Sequence, residues 1–212
     1  MEIEKLKILR TLFPGTLILL GLLPAYVYFT KDPVEIGWTL AGVGMVISYG
    51  LGTIYNLYCL RKVFNWRSHE RITDNIKQRL LKIGRTLPVT RERAEEILKT
   101  RSLMDIFYKL VDSDNTLKER AKLVRENGFA WGSIADVVVL GTVFAALYLP
   151  WWLATAYSPF LIMSLICGVA AIVGRAFLHP WAEKRHIRLG NEQLDFIELH
   201  LRQEAINMVN RL

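Results

Sequence analysis

The sequence predicts an all-α polytopic membrane protein, with four transmembrane helices plus a helical cytoplasmic domain. Three observations carry this: four apolar runs as long as a bilayer is thick, charge confined almost wholly to the stretches between them, and aromatic rings gathered at their ends. The composition alone would not give it. The 212 residues are 52% hydrophobic and 22% charged, with a mean hydropathy of +0.23, not far from the ~45–50% apolar and ~25% charged of soluble domains. The distribution excludes a soluble globular domain, a disordered chain and a disulfide-rich scaffold. Two cysteines cannot build a disulfide framework.

A transmembrane helix needs ~20 mostly apolar residues. The first run, 12–30, has no charge. Glu2 and Glu4 stand beside Lys5, Lys7 and Arg10 ahead of it, and no small-residue cleavage site follows, so it is expected to be a retained span and not a cleaved signal. No lipidation motif is expected to supply an anchor instead. Pro14-Gly15 and Pro24 punctuate this run and predict a kinked, packed helix. The second run, 36–60, is also uncharged. It carries small or polar residues at Gly37, Ala41, Gly44, Ser48, Gly52 and Asn56, a helical stripe that permits close approach of another helix. The stripe reads as packing within the chain or between protomers, and alternatively as a pore lining through Ser48 and Asn56.

The insert 61–128 carries 17 Lys and Arg against 10 acids. Ile72, Ile76, Leu80 and Ile83 predict that the second span continues as a helix, stopped at Gly84 and broken over Arg85–Val89 with Pro88. Thr90 opens a second helix with Glu92 in its first turn. Ser102 and Asp105 read as a capping box before Ile106, Phe107 and Leu110. Asp112 to Asn115 reads as a turn, and Thr116 with Glu119 as another box, with Leu117, Ala121 and Val124 inward and Gly128 as a hinge. Asp112-x-Asp114-x-Thr116 resembles the start of a calcium loop only superficially, because position 12 is Leu123.

The third run, 129–149, contains one charge, Asp136, and the fourth, 160–178, contains one, Arg175. Ionisable groups in a membrane cost about 2.5–3.5 kcal/mol on insertion scales and face protein or water. The two spans are antiparallel and joined by a short loop, so Asp136 and Arg175 are expected to pair and fix helix register. Snorkelling of Arg175 to headgroups, or a polar pathway through either residue, are the alternatives. The tail 179–212 reads as one amphipathic helix. Leu194, Ile197, Leu201, Ala205, Met208 and Leu212 form a near-heptad seam, either folding onto the insert or associating with a second copy.

Orientation follows the Lys and Arg count outside the spans. Residues 1–11 carry three, the loop 31–35 one, the insert 17, the loop 150–159 none and the tail five. Both termini and the insert are therefore expected in the cytoplasm and the protein in the cell membrane. Tyr26, Tyr28, Trp38, Tyr148, Trp151, Trp152 and Tyr157 fall at the outer ends, and Tyr55, Tyr58, Trp131 and Trp181 at the inner ends, as interfacial belts would. Arg61, Lys62, Arg67 and Arg71 lie just inside and are expected to contact anionic lipid.

No nucleotide loop, zinc-protease or nucleophile motif is present. The four histidines have no metal-ligand spacing, and Cys59 and Cys167 read as packing residues. No cofactor or metal is expected. Membrane lipids and a homo-oligomer are the expected partners, with a cytoplasmic protein possible and nucleic acid disfavoured by the interspersed acids. The function expected is that of a non-enzymatic membrane component, an anchor or sensor whose cytoplasmic domain receives a signal or partner, or an oligomeric pore or channel. The alternative is a small membrane enzyme or transporter acting on a lipid or anion through Asp136, Arg175 and the basic flank.

Overall fold

The computed structural model describes residues 3–31, 38–58, 60–85 and 90–212, and the backbone alone at 38–41. Gly37 and Ala41 of the small-residue stripe, the ring of Trp38, Cys59, Pro88 and the outer loop beyond Lys31 lie outside these described residues. Those described form α1 (Ile3–Thr30), α2 (Trp38–Leu57), α3 (Leu60–Gly84), α4 (Arg91–Lys99), α5 (Ser102–Ser113), α6 (Asn115–Thr155), α7 (Ser158–Val173), a single π-turn (Gly174–Leu178), α8 (His179–His200) and α9 (Arg202–Val209), with no strand among them. Ile3–Thr30, Asn115–Thr155 and the continuous stretch Ser158–His200 are each long and apolar enough to cross a membrane. Gly42–Leu57 with Leu60–Gly84 adds a fourth if that bent pair is one span.

The chain divides into two compact units: residues 1–65 with 129–181, and residues 66–128 with 182–212. In the first, close approach of α1 and α2 depends on two glycines. A Cβ on Gly15 would lie 1.7 Å from the Ser48 carbonyl oxygen, and one on Gly52 would lie 1.8 Å from that of Thr11. No side chain fits at either point. Gly21 meets the edge of the Phe144 ring in the same way, and Gly141 lets α6 approach the Cys167 carbonyl of α7. Between them Tyr55, Leu140, Phe144, Tyr148 and Phe160 form a buried core. Two polar groups close it: the Tyr148 hydroxyl donates to the Gly21 carbonyl, and the Ser164 hydroxyl to that of Ala145 at 3.0 Å.

The second unit is built on the predicted isoleucine stripe. Ile72, Ile76, Leu80 and Ile83 are all buried, with Ile97, Leu103, Phe107, Leu110 and Leu117. Leu194, Ile197, Ala205 and Val209 of the tail are buried with them. Polar bonds join α3 to α8 at steps of one turn along α3: Arg71 to Glu183, Asn75 to Asn191 at 2.8 Å, and Arg79 to Asp195 at 2.6 Å.

Several local expectations are corrected. The first helix, which contains the apolar run 12–30, begins at Ile3 and runs through Pro14 and Pro24. Thr90 caps α4 as expected, through the Arg93 amide. At α5 the cap position is Arg101, and Ser102 is already helical, so the Ser102–Asp105 box does not form. Asp114 caps α6 in place of Thr116, its carboxylate accepting from the Thr116 and Leu117 amides at 2.7 and 3.0 Å. An ionised acceptor at a helix N-terminus outcompetes a hydroxyl. Gly128 does not end the helix, because α6 runs from Asn115 to Thr155. The tail bends at Leu201, whose φ of −122° and ψ of 17° leave the helical region. α9 thereby brings Val209 against Gly84, where a Cβ would lie 2.5 Å from Val209 Cγ2.

Candidate functional site

The polar centre of the first unit is Asp136. It sits on α6, fully buried, one turn after Gly132. A carboxylate so placed must be paired and hydrogen-bonded. The partner is Arg61, near the start of α3, and the contact is bidentate: Arg61 Nε donates to Asp136 Oδ1 at 2.7 Å and Nη2 to Oδ2 at 2.6 Å. Planar guanidinium and carboxylate match in this fork geometry. The Tyr55 hydroxyl of α2 adds a third donor to Oδ1 at 3.0 Å.

Arg61 has a further acceptor, the Arg10 carbonyl of α1, at 3.2 Å from Nη2. The sequence explains why that carbonyl is open. Pro14, four residues on, has no N–H to give it. The proline thus creates an acceptor inside a continuous helix, and the guanidinium fills it. One side chain of α3 consequently holds α1 and α6, and Tyr55 brings in α2. Gly132 leaves room beside it, since a Cβ there would lie 3.6 Å from Arg61 Cδ.

The expected Asp136–Arg175 pair is therefore corrected. Arg175 lies in the π-turn, exposed, with its guanidinium 5.2 Å from the centre of the Phe64 ring. Phe64 meets His179 edge to face at 4.9 Å, and Trp131 lies 5.9 Å from the same imidazole. His179 is buried and places Nε2–H on Asn65 Oδ1 at 2.8 Å. The two charges within the third and fourth apolar runs belong to separate clusters. Arg175 has a cation–π contact and open access outward in place of a carboxylate.

The expected lipid-binding set also divides. Arg61 is committed to Asp136. Arg71 is bonded to Glu183 through both Nε and Nη2, each at 3.0 Å. Lys62 and Arg67 remain exposed. The small-residue set of α2 faces α1: Ser48 is buried, Gly52 abuts Thr11 and a Cβ on Gly44 would touch only Leu19 at 3.7 Å. Asn56 lies where α2 ends, beside Arg10 and Arg61 in a common cavity. The proposed self-association seam packs inside its own unit, with Leu194 and Ile197 fully buried and Leu201 and Met208 half-buried. The seam is thus used largely within the chain, as the reading of a tail folding onto the insert requires.

In the second unit, a groove of about 620 Å³ runs between α3 and α4, lined by mixed charges that include His69, Asp74, Lys77 and Glu95. Asn127 is buried there and bonds the Ala182 carbonyl at 3.0 Å and His186 Nδ1 at 3.3 Å. Burial holds the His186 imidazole below the ordinary histidine value, and the charge of His69 adds to the effect. Among the described residues, no group of three or more His, Cys, Asp or Glu could hold a metal ion.

The partners of Asp136 were not apparent in the sequence. Tyr55 falls where an interfacial ring belongs, and Arg61 where a headgroup cation belongs. The available signals are position and backbone chemistry: Arg61 directly follows the second apolar run, and Pro14 marks where an acceptor opens. Comparison of the chain with protein-family models, with characterised proteins and with solved structures finds no match to any of them.

Proposed function

We propose that this chain is a non-enzymatic integral membrane protein, a four-span anchor that carries a helical cytoplasmic domain able to receive a signal or a protein partner. The two termini and the insert lie on the cytoplasmic side in this reading, following the excess of Lys and Arg there. The outer surface of the first unit supports the membrane part. Met45, Val46, Leu57, Leu153, Ile166 and Ile172 are each more than half exposed, which in water would be an aggregation surface and in lipid is not.

The observation that carries the anchor reading over a pore is the use of the small-residue stripe. Gly52 and Ser48 are occupied by α1 of the same chain, at separations that admit no other helix and no water. The polar group most suited to a pathway, Asp136, is closed off by Arg61 and Tyr55. In this reading both features are structural, and the second unit supplies the interaction.

Sizing of the full chain in detergent, followed by ion flux after liposome reconstitution, tests this. A monomer without flux is expected, and a defined oligomer with flux refutes it. Orientation is read separately with a membrane-impermeant thiol reagent: Ser158→Cys should label from outside intact cells and Ser113→Cys only after permeabilisation.

A further inference from the structure

Where α1 begins and α2 gives way to α3, the first unit contains a cavity of about 400 Å³ that the ion pair does not fill. Lys7 and Arg10 of α1 and Lys62 of α3 line it, with Arg61 beside Tyr55 and Asn56. No carboxylate among the described residues lines it. The charge of Arg61 is matched by Asp136, whereas Lys7, Arg10 and Lys62 have no ion-pair partner among the described residues. All three are exposed and reachable from outside.

Three uncompensated cations around one concavity repel each other when it is empty, and a bound anion relieves that repulsion. The donors suit a tetrahedral oxyanion: a guanidinium offers a fork, and two ammonium groups offer point charges from other directions. The volume exceeds that of a single small ion and suits a phosphate ester. The immediate sequence neighbours are apolar and open to the surroundings, Leu9 at 37% and Leu57 at 75% exposure. An amphiphile would meet cations at its head and apolar side chains along its tail.

We propose that this cavity binds a phosphate group, with an acidic phospholipid as the source that the flanking apolar residues favour. Lys7, Arg10 and Lys62 are the binding residues, and Asn56 donates an amide. The lipid source rests on the membrane reading above, while recognition of phosphate does not.

The test is native mass spectrometry of the full chain, released from zwitterionic detergent with equimolar phosphatidic acid and phosphatidylcholine of matched acyl chains. Preferential retention of phosphatidic acid is expected. Each cation removed as Lys7→Gln, Arg10→Gln or Lys62→Gln should weaken that retention about fivefold, and the triple variant should abolish the preference. Arg67→Gln with Arg71→Gln should leave it intact. Should the triple variant lose helicity or elute as aggregate, the single variants at exposed Lys7 and Lys62 give the same reading. Millimolar inorganic phosphate distinguishes the sources. Displacement of the lipid by it indicates that phosphate alone is recognised, and retention in its presence indicates that the acyl chains contribute. Either supports the site. Unchanged preference in the triple variant, or equal loss in the Arg67/Arg71 control, overturns it. Release of the chain from phosphatidylcholine vesicles by alkaline carbonate would refute the membrane reading alone, because the cavity would still bind inorganic phosphate in solution.

Discussion

Removing the two ends of the Arg61–Asp136 pair should have unequal effects. Asp136 is fully buried and Arg61 keeps a fifth of its side chain exposed. Arg61→Leu leaves a carboxylate sealed in an apolar core with only the Tyr55 hydroxyl, which should destabilise by ~3–5 kcal/mol. Asp136→Leu leaves a guanidinium that retains the Arg10 carbonyl and can extend outward, which should destabilise by ~1–3 kcal/mol. The double variant removes both charges but strands the Tyr55 hydroxyl and the Arg10 carbonyl, for a net loss of ~2–4 kcal/mol. A double-mutant cycle should therefore return a coupling energy of ~3 kcal/mol, at the upper end for contacting residues. The measurement is denaturation of the full chain in mixed micelles, followed by circular dichroism. Asp136→Leu combined with Arg175→Gln serves as the control and should be additive. Additivity of the Arg61 and Asp136 changes, or coupling of Asp136 to Arg175 instead, would refute the assignment of partners.

Other predictions follow from close approach, backbone geometry and titration. Gly15→Ala and Gly52→Ala each drive a methyl into a carbonyl of the facing helix and should lower stability by ~3 kcal/mol or more. Gly50→Ala, with nothing within 4 Å of its Cβ, should leave stability unchanged or raise it by up to ~1 kcal/mol in the same melting assay. Ala156 follows α6 with a φ of 55°, a left-handed conformation that L side chains adopt at a penalty. Ala156→Gly should raise stability by ~1 kcal/mol, and a lowered melting point would contradict that. His186 has a depressed pKa in the folded chain, so the unfolded chain binds its proton first as pH falls. The stability it contributes is complete above the ordinary histidine value of ~6.5 and is lost as pH drops towards the folded pKa. Melting between pH 8 and pH 5 should show that loss, and His186→Gln should reduce it. An unchanged pH profile in the variant would assign the effect to other groups.

Periodicity and charge went far with the helices and less far with their partners. Four apolar runs and the isoleucine stripe of α3 are local patterns, and each marks a face that must be covered. Which face covers which is not local. Gly52 meets Thr11 because two backbones can approach there, and the small-residue stripe shows only that α2 permits such an approach. The Arg61–Asp136 pair spans 75 positions, and Arg61 has every local feature of a headgroup cation. Box patterns match by spacing, which does not decide the cap at α5 or α6. The decision between Asp114 and Thr116 rests on which group carries charge and on where the preceding turn points. The bend at Leu201 left no signal in composition, since a heptad-like seam continues straight across it.

Proline at position 14 has a consequence for the order in which the chain is made. The carbonyl it frees and the guanidinium that satisfies it lie ahead of the carboxylate in the chain, and the carboxylate that completes the pair follows only with α6. Asp136 is synthesised after its counter-charge, so in the proposed membrane setting the costly residue of the pair need not enter lipid alone. Tying the early cation to a carbonyl instead of an acid keeps it available for that later exchange.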